Sequence, residues 1–190
     1  MKTLAIALLF ALPSLAQAGG YVGFGAGSFD YSEQGDRVAV LGDLNDTTTS
    51  YSLYGGYEFF KYFSVEGSIG KSGEIHGTVP IAVPGVGTRN FDIKGEYDIA
   101  SVRAVGYLPV GKKVRLLGGL GSYAMSLDTT GSAPSLGTQV HTTSDDQGLG
   151  LMLGVQFDFQ HVSIRARYET YNTESNLDLS DFGLGLSVRF

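Results

Sequence analysis

The segment DFGLGLSVRF, at residues 181–190, alternates strictly between apolar side chains and charged or small ones. Alternation with a period of two residues is typical of a β-strand that has one apolar face. The same pattern recurs in five earlier segments, at 19–28, 49–59, 63–70, 148–158 and 162–169. The sequence therefore predicts six strands whose inward and outward faces can be assigned.

Two further segments, 93–108 and 113–127, are rich in strand-forming residues but ambiguous in phase. Tyr97 and Ile99 share one parity, whereas Val102, Ala104 and Leu108 share the other. Either a β-bulge or a strand that continues beyond the apolar zone would produce this change of parity. Both alternatives remain open at this point. With these two segments, the chain is predicted to contain eight strands.

The predicted strands are joined by two alternating kinds of connection. Short turns are expected at 60–62, 109–112 and 159–161. Longer connections rich in Asp, Thr, Ser, Gly or Pro, which we interpret as loops, lie at 29–46, 71–92, 128–147 and 172–178. An even number of two-faced strands, with short turns at one end and long loops at the other, is typical of an outer-membrane barrel. The predicted fold is all-β: an eight-stranded antiparallel up-and-down transmembrane β-barrel.

The N-terminal residues have the composition of a secretory signal peptide. Lys2 precedes an apolar run over 3–12, and the small-residue sequence Ala-Gln-Ala occupies 16–18. The run is too short for a membrane-spanning helix, which needs ~20 apolar residues. We expect a signal peptide over 1–18 and a barrel domain over 19–190. Cleavage is expected between Ala18 and Gly19, so the intact mass of the membrane-extracted protein should correspond to a chain that starts at Gly19.

Composition narrows the remaining classes. The chain contains no Cys, so it has neither disulfides nor thiolate metal sites, and His76 and His141 lack metal-ligand spacing. We expect no cofactor. The formal net charge of -6 argues against nucleic-acid binding. In a soluble β-sandwich or lipocalin-like barrel the polar face would carry Lys and Glu, but here only 17% of residues are charged and the polar positions are mostly small. Such positions suit a narrow, side-chain-filled lumen.

Several short motifs occur in an order and spacing that resemble a known family. They are YGGYEF at 54–59, YFSVEGSIG at 62–70, VGYLP at 105–109, LGVQF at 153–157 and IRARYE at 164–169. The mature chain resembles the small eight-stranded outer-membrane barrels of the OmpA and OmpX type. The resemblance implies a bacterial outer-membrane location, with periplasmic termini and extracellular long loops. It also implies a lumenal ion pair, matched here by Glu66 and Arg165. An interior glutamate and an interior lysine of the family correspond to Gln156 and Ala104.

The residues themselves also predict a charged lumen. Six charged side chains share the polar parity of their strands: Glu58, Glu66, Asp158, Arg165, Arg167 and Glu169. Each would be costly to bury without a partner, so we expect them to form an ion-pair network. Buried ion pairs commonly have an architectural role, which favours a filled lumen over a conducting gate.

The apolar residues of the last predicted strand are a candidate assembly signal. They are Phe182, Leu184, Leu186, Val188 and Phe190. In the family that the chain resembles, a final strand with alternating apolar residues and a terminal aromatic is recognised by the outer-membrane assembly machinery. The alternative is that these residues only face lipid and pack there.

One predicted loop contains an apolar, proline-punctuated stretch that includes Val79, Pro80, Ile81, Val83, Pro84 and Val86. Exposed apolar patches often mark contacts, here with a host surface or another extracellular ligand, unless the loop packs on itself or its neighbours. His161 and Ser163 are similar to the His-x-Ser pair of outer-membrane lipid A deacylases, but the asparagine that follows in those enzymes is Ile164 here.

These observations together predict a non-enzymatic protein of the cell envelope. We expect a structural and surface-interaction role for a monomer in contact with outer-membrane lipids and lipopolysaccharide. The alternatives are an adhesin or ligand binder that acts through its long loops, a narrow pore, and, more remotely, a lipid A-modifying hydrolase.

Overall fold

The computed structural model describes residues 19–33, 45–83, 87–133, 138–173 and 177–190. Within these ranges the chain forms nine antiparallel β-strands. Their bounds are β1 Gly19–Glu33, β2 Asn45–Phe60, β3 Phe63–Ser72, β4 Ile75–Val83, β5 Gly87–Pro109, β6 Val114–Ala133, β7 Thr138–Phe159, β8 Val162–Thr173 and β9 Leu177–Arg189. A helix with the length and hydropathy of a membrane span does not occur in the described residues.

Eight of the nine strands close into a barrel. The first strand, β1, pairs with β2 on one side and with β9 on the other, from Tyr21 opposite Arg189 to Glu33 opposite Leu177. On the far side of the ring β3 pairs directly with β5, with Glu66 opposite Arg103. Closure leaves no unpaired strand edge within a bilayer. The predicted eight-stranded antiparallel barrel is confirmed, and β4 is an additional strand outside the ring.

The two ends of the barrel differ as the sequence predicts. Short turns at 61–62, 110–113 and 160–161 lie at the same end as Gly19 and Phe190, and we call this the turn end. The opposite end, which we call the hairpin end, carries long two-stranded extensions. Strands β5, β6 and β7 contain 23, 20 and 22 residues.

The expectation of loops over 71–92 and 128–147 is wrong for most of these residues. The β6–β7 ladder continues from Val114 opposite Phe157 to Ala133 opposite Thr138. Alternating apolar residues, which guided the sequence prediction, stop where lipid contact stops. Threonine has a high β-propensity in water as well, so the Thr-rich segments continue the backbone ladder without the apolar signal.

Strand β4 occupies the position above the end of β3. Its partner β5 pairs with β3 through Asp98 and then with β4, from Ile75 opposite Gly95 to Val83 opposite Gly87. The apolar stretch that was predicted in a loop therefore lies in a strand as far as Val83. Residues 84–86, which include Pro84 and Val86, lie outside the described residues.

The ambiguous phase of β5 arises because the strand continues beyond the apolar zone. The β5–β6 register is continuous from Asp92 opposite Ser132 to Pro109 opposite Arg115, without a bulge in that span. Tyr97 faces the barrel interior, whereas Val102 faces outward and is 59% exposed. Of the two alternatives, the strand that continues beyond the apolar zone is therefore the correct one.

The outward face of the barrel is an apolar belt. Leucines such as Leu108, Leu153 and Leu184 are about three-fifths exposed in the isolated chain. At the hairpin end the belt gives way to charge, where Lys71 Nζ lies 3.0 Å from carboxylate oxygens of both Glu96 and Asp98. These hydrogen bonds raise the pKa of Lys71. At the turn end the belt is rimmed by aromatic side chains, including Phe59, Tyr62, Phe63, Phe157, Phe159 and Phe190.

Candidate functional site: the barrel lumen

The lumen is filled by ion pairs between equal numbers of acids and arginines. The acidic members are Glu58, Glu66, Asp158, Glu169 and Asp181, and the basic members are Arg103, Arg115, Arg165, Arg167 and Arg189. Because the formal charges cancel, no net charge has to be stabilised inside the barrel. Pairing of this kind is what makes buried ions tolerable.

The most deeply buried pair is Glu66 with Arg165. Arg165 Nη1 lies 2.6 Å from Glu66 Oε2, and both side chains are almost completely buried. Glu66 also accepts a hydrogen bond of 2.8 Å from the Tyr21 hydroxyl, and its other oxygen lies 3.7 Å from Arg103 Nε. One carboxylate therefore serves two arginines and a tyrosine at the centre of the barrel.

Glycine makes room for this centre. Arg165 on β8 lies opposite Gly185 on β9. The ring of Tyr54 lies over the Arg165 guanidinium, with 5.0 Å between the guanidinium carbon and the ring centroid. A Cβ atom at Gly185 would lie 2.7 Å from the Tyr54 hydroxyl, which is too close. Gly185 of the last strand thus leaves room for the Tyr54 ring, which reaches over Arg165 from β2.

Towards the hairpin end the network continues through Glu169. Its Oε1 lies 2.6 Å from Arg103 Nη1 and 3.2 Å from Arg167 Nε, and its Oε2 accepts a hydrogen bond of 2.8 Å from Tyr171. Arg167 also contacts Asp181 at 3.4 Å, and Asp181 accepts a hydrogen bond from the Ser50 hydroxyl.

A second cluster lies at the turn end. Arg115 lies 3.0 Å from Glu58 and 2.7 Å from Asp158, and Arg189 lies 3.3 and 2.8 Å from the same two acids. Gln156 connects the two clusters, because its amide nitrogen donates to Asp158 at 2.7 Å and its carbonyl accepts from Arg165 Nε at 3.2 Å. The position that the resemblance matched to an interior glutamate thus holds a neutral bridge.

Beyond the charges, at the hairpin end, the lumen contains an apolar and aromatic cluster. Its buried members are Phe29, Tyr97, Tyr123, Met125, Tyr171 and Leu179. The Tyr123 and Tyr171 rings pack edge to face at 5.1 Å, and Phe29 packs on Tyr97 at 5.5 Å. We call these six residues the aromatic plug. Tyr171 joins it to the ion-pair network through its bond to Glu169.

All six charged residues singled out by the sequence lie in this network, and four further members were missed. Arg103 and Arg115 belong to the two strands of ambiguous phase, whereas Asp181 and Arg189 lie on the polar parity of the last strand. The match of Ala104 to an interior basic position is wrong. Ala104 faces outward and the neighbouring Arg103 faces the lumen. The apolar residues Tyr97 and Ile99 share the lumenal face with Arg103, because Tyr97 belongs to the plug and Ile99 packs against it.

The structure also places the other candidate residues. The side chains of Phe182, Leu184, Leu186 and Val188 face outward, and Phe190 is 81% exposed with its amide bonded to the Gly20 carbonyl at 3.0 Å. Gly19 is the first residue of β1, and Ala18 lies outside the described residues.

All three histidines are exposed. His161 is exposed in a turn, whereas Ser163 is buried in the lumen and donates a hydrogen bond of 2.8 Å to Asp158. His76 lies 3.5 Å from Glu74, and His141 lies 3.4 Å from the Thr130 hydroxyl. Among the described residues, no group of three or more His, Cys, Asp or Glu side chains could hold a metal ion.

Comparison with known proteins identifies the family. The sequence matches the family model of the outer membrane protein beta-barrel domain over residues 3–190. The chain belongs to this family of outer-membrane proteins. A search of curated proteins found no match.

Solved structures of other outer-membrane proteins share the fold. Ail, the attachment invasion locus protein of Yersinia pestis, solved in complex with the heparin analogue sucrose octasulfate, is 20% identical, with a TM-score of 0.60 over 91% of this chain and 99% of that chain. OprG from Pseudomonas aeruginosa is 17% identical, with a TM-score of 0.59 over 90% and 96%. Neisserial surface protein A is 17% identical, with a TM-score of 0.52 over 91% and 99%.

Proposed function

We propose that this outer-membrane barrel is a closed structural protein of the cell envelope that makes surface contacts through its hairpin end. In this proposal the turn end lies in the periplasm and the hairpin end is extracellular. The single observation that carries the proposal is the lumen, in which two linked ion-pair clusters and the aromatic plug lie one above another.

The filled lumen supports a structural role rather than transport. Arg165 and Glu66, which cross the centre of the barrel, are 1% and 0% exposed. Val105, Tyr107, Leu117 and Met152 form a further buried cluster along the wall formed by β5, β6 and β7. A solute could pass only if several of these contacts opened together, and buried ion pairs are costly to separate.

The hairpin end supports a role in surface contact. The paired strands continue beyond the lipid belt, and the hairpin of β4 and β5 carries the apolar residues 79–83. Among the structural neighbours, Ail was solved with a heparin analogue and another is named a surface protein. These neighbours share the fold at 20% and 17% identity.

The histidine environment gives no support for hydrolase chemistry. A serine that acts as a nucleophile needs a base within hydrogen-bond reach. Here the Ser163 hydroxyl donates to Asp158, which already pairs with Arg115 and Arg189. We therefore propose a role without catalysis, in contact with outer-membrane lipids and lipopolysaccharide.

Deletion of residues 79–86 tests the surface contact. We expect the variant to assemble normally, because β3 and β5 close the barrel without β4. Its binding to lipopolysaccharide-containing vesicles, or to host cells when displayed on bacteria, should fall at least fivefold. An equally long deletion over 132–139, which removes the last residues of β6, the first of β7 and the segment between them, is the matched control. Equal loss in the two deletions, or no loss in either, would count against a contact through the β4 hairpin.

A further inference from the structure

The outer wall of the barrel carries a groove at the turn end, facing lipid. It has a volume of about 410 Å³ and lies on β5 and β6 next to the turn that joins β2 to β3. Gly106 and Gly118 are opposite each other in the ladder and form its floor, and Leu108 and Leu116 are the next opposed pair on the outward face. Tyr62 forms one side. This volume lies within the ~300 to 1,000 Å³ of small-molecule sites.

The glycine floor is open rather than packed. A Cβ atom at Gly118 would meet nothing within 4 Å, and one at Gly106 would meet only the Gly118 carbonyl oxygen at 3.7 Å. The leucine side chains next to the glycines project outward: Leu108 and Leu116 are 63% and 45% exposed. The occupant of such a groove must itself lie in the membrane and present an apolar surface, as a lipid acyl chain does.

The turns next to the groove are basic. Lys112 and Lys113 lie exposed in the β5–β6 turn, where the Lys113 Nζ lies 5.9 Å from the centroid of the Phe159 ring. Lys61 lies in the β2–β3 turn with its Nζ 4.7 Å from the centroid of the Tyr62 ring, which borders the groove. In the described part of the turn end, the acidic side chains are Glu58 and Asp158. Both lie in the lumen and pair with arginines there. The lysines therefore present positive charge at headgroup level that is not paired with an acidic side chain of the described turn end.

We propose that this groove is a binding site for an anionic glycerophospholipid of the leaflet at the turn end. One acyl chain lies over Gly106 and Gly118, and the headgroup phosphate is held by Lys112 and Lys113, with Lys61 beside it. Lysines near an anionic lipid surface contribute to binding individually. A second copy of the chain is a poorer occupant, because specific interfaces bury ~1,200 Å² or more and the lysine rims of two copies would repel each other.

That this leaflet faces the periplasm rests on the orientation proposed above. The binding site does not depend on that orientation, since the groove and the lysines lie at the same end of the barrel whichever way it is inserted. Binding to purified protein in detergent is therefore independent of the proposed orientation and of the closed lumen.

Native mass spectrometry in detergent tests whether the site prefers an anionic headgroup. The protein is titrated with phosphatidylglycerol or with phosphatidylcholine of identical chains. We expect tighter binding of phosphatidylglycerol, and a loss of about fivefold per lysine in the K112Q/K113Q double variant, with phosphatidylcholine binding unchanged. The matched control is K71Q/K94Q, which removes two exposed lysines at the hairpin end. Equal affinity for the two lipids, or equal loss in the two double variants, would overturn the proposal.

Fluorescence quenching in vesicles tests whether the lipid binds at the groove. The chain has no tryptophan, so Tyr62→Trp creates a single reporter beside the groove. Brominated phosphatidylglycerol, diluted in phosphatidylcholine, should quench it more strongly than it quenches Val188→Trp on the opposite wall. The further change Gly118→Leu should remove this difference. Gly67→Leu, a lipid-facing glycine outside the groove, should leave it unchanged.

Three outcomes of the quenching experiment would contradict the proposal. They are equal quenching at the two reporters, insensitivity to Gly118→Leu, and displacement of the brominated lipid by lipid A but not by unlabelled phosphatidylglycerol. A dimer that forms in micelles and is lost in Gly118→Leu would instead assign the groove to a second copy. Circular dichroism and gel mobility before and after heating establish that each variant is folded.

Discussion

At the scale of single residues, the stability of the barrel centre depends on how many partners each buried charge has. Glu66 is within ion-pair distance of Arg165 and Arg103, whereas Arg103 has a second acidic partner in Glu169. The only acid paired with Arg165 in the described residues is Glu66. The two members of the central pair are therefore not equivalent, since losing the acid leaves Arg165 without a counter-charge.

We expect Glu66→Gln to lower the free energy of unfolding by ~3 to 5 kcal/mol, the usual cost of leaving a buried charge unpaired. Arg165→Met should cost less, because Glu66 keeps Arg103 and Tyr21 as partners. The double variant should cost less than the sum of the two single changes. Urea unfolding in detergent micelles measures all three.

Lys71→Met is the control for this cycle, because an exposed ion pair contributes only ~0 to 1 kcal/mol. Additive losses for Glu66 and Arg165 would show that the two side chains do not stabilise the barrel as a pair. A larger loss for Arg165→Met than for Glu66→Gln would contradict the asymmetry inferred from the contacts.

Parity alone was enough to predict that Glu66 and Arg165 face the lumen, since both lie in strands with a clear alternation. It failed for Arg103 because the same strand carries Tyr97 and Ile99 on its lumenal face, where the plug requires apolar side chains. A rule that equates apolar with lipid-facing cannot recognise an apolar plug. The contacts of Asp181 and Arg189 were equally inaccessible, because they depend on the order and register of the strands that carry their partners, β2, β7 and β8.

At the scale of elements, β9 closes the barrel and ends it. Its outward residues face lipid, and on its two sides it pairs with β1 and β8. Its lumenal face is occupied by Asp181, Gly183, Gly185 and Ser187, which leave space for side chains from other walls. The strand thus has separate uses for its two faces, as the alternation in the sequence predicts.

We propose that the outward face of β9, ending at Phe190, is also the signal read by the assembly machinery. Removal of Phe190 should then reduce assembled barrel in cells by at least fivefold and leave refolding of purified protein into detergent nearly unchanged. Phe159→Ala, which removes another aromatic of the turn end, is the control and should not impair assembly selectively. Equal effects in cells and in detergent would mean that Phe190 serves packing alone.

The long strands of the hairpin end mark the limit of element prediction. In the belt, β6 and β7 alternate because lipid selects apolar residues on one face. Beyond it, Thr142 and Thr143 of β7 still pair with Thr129 and Asp128 of β6, but no apolar face is needed in water. Strand ends outside the belt depend on backbone pairing alone, so the pattern of hydrophobicity does not predict them.

At the scale of the whole molecule, the barrel is a neutral, filled tube with contrasting ends. Acids and arginines balance inside it, the hairpin end carries Asp128 and the ion pairs of Lys71 with Glu96 and Asp98 outside the belt, and the turn end carries three exposed lysines. Such a molecule suits an asymmetric membrane, because its two ends differ.

Single-channel recording of the purified protein in a planar bilayer tests the closed lumen most directly. The account predicts no regular conductance steps at voltages where a general porin, inserted under the same conditions, conducts steadily. The double variant of Glu66 and Arg165 should remain non-conducting as well, because the aromatic plug still closes the hairpin end. Reproducible steps from the unaltered protein, scaling with salt concentration, would contradict the account and assign the chain a pore.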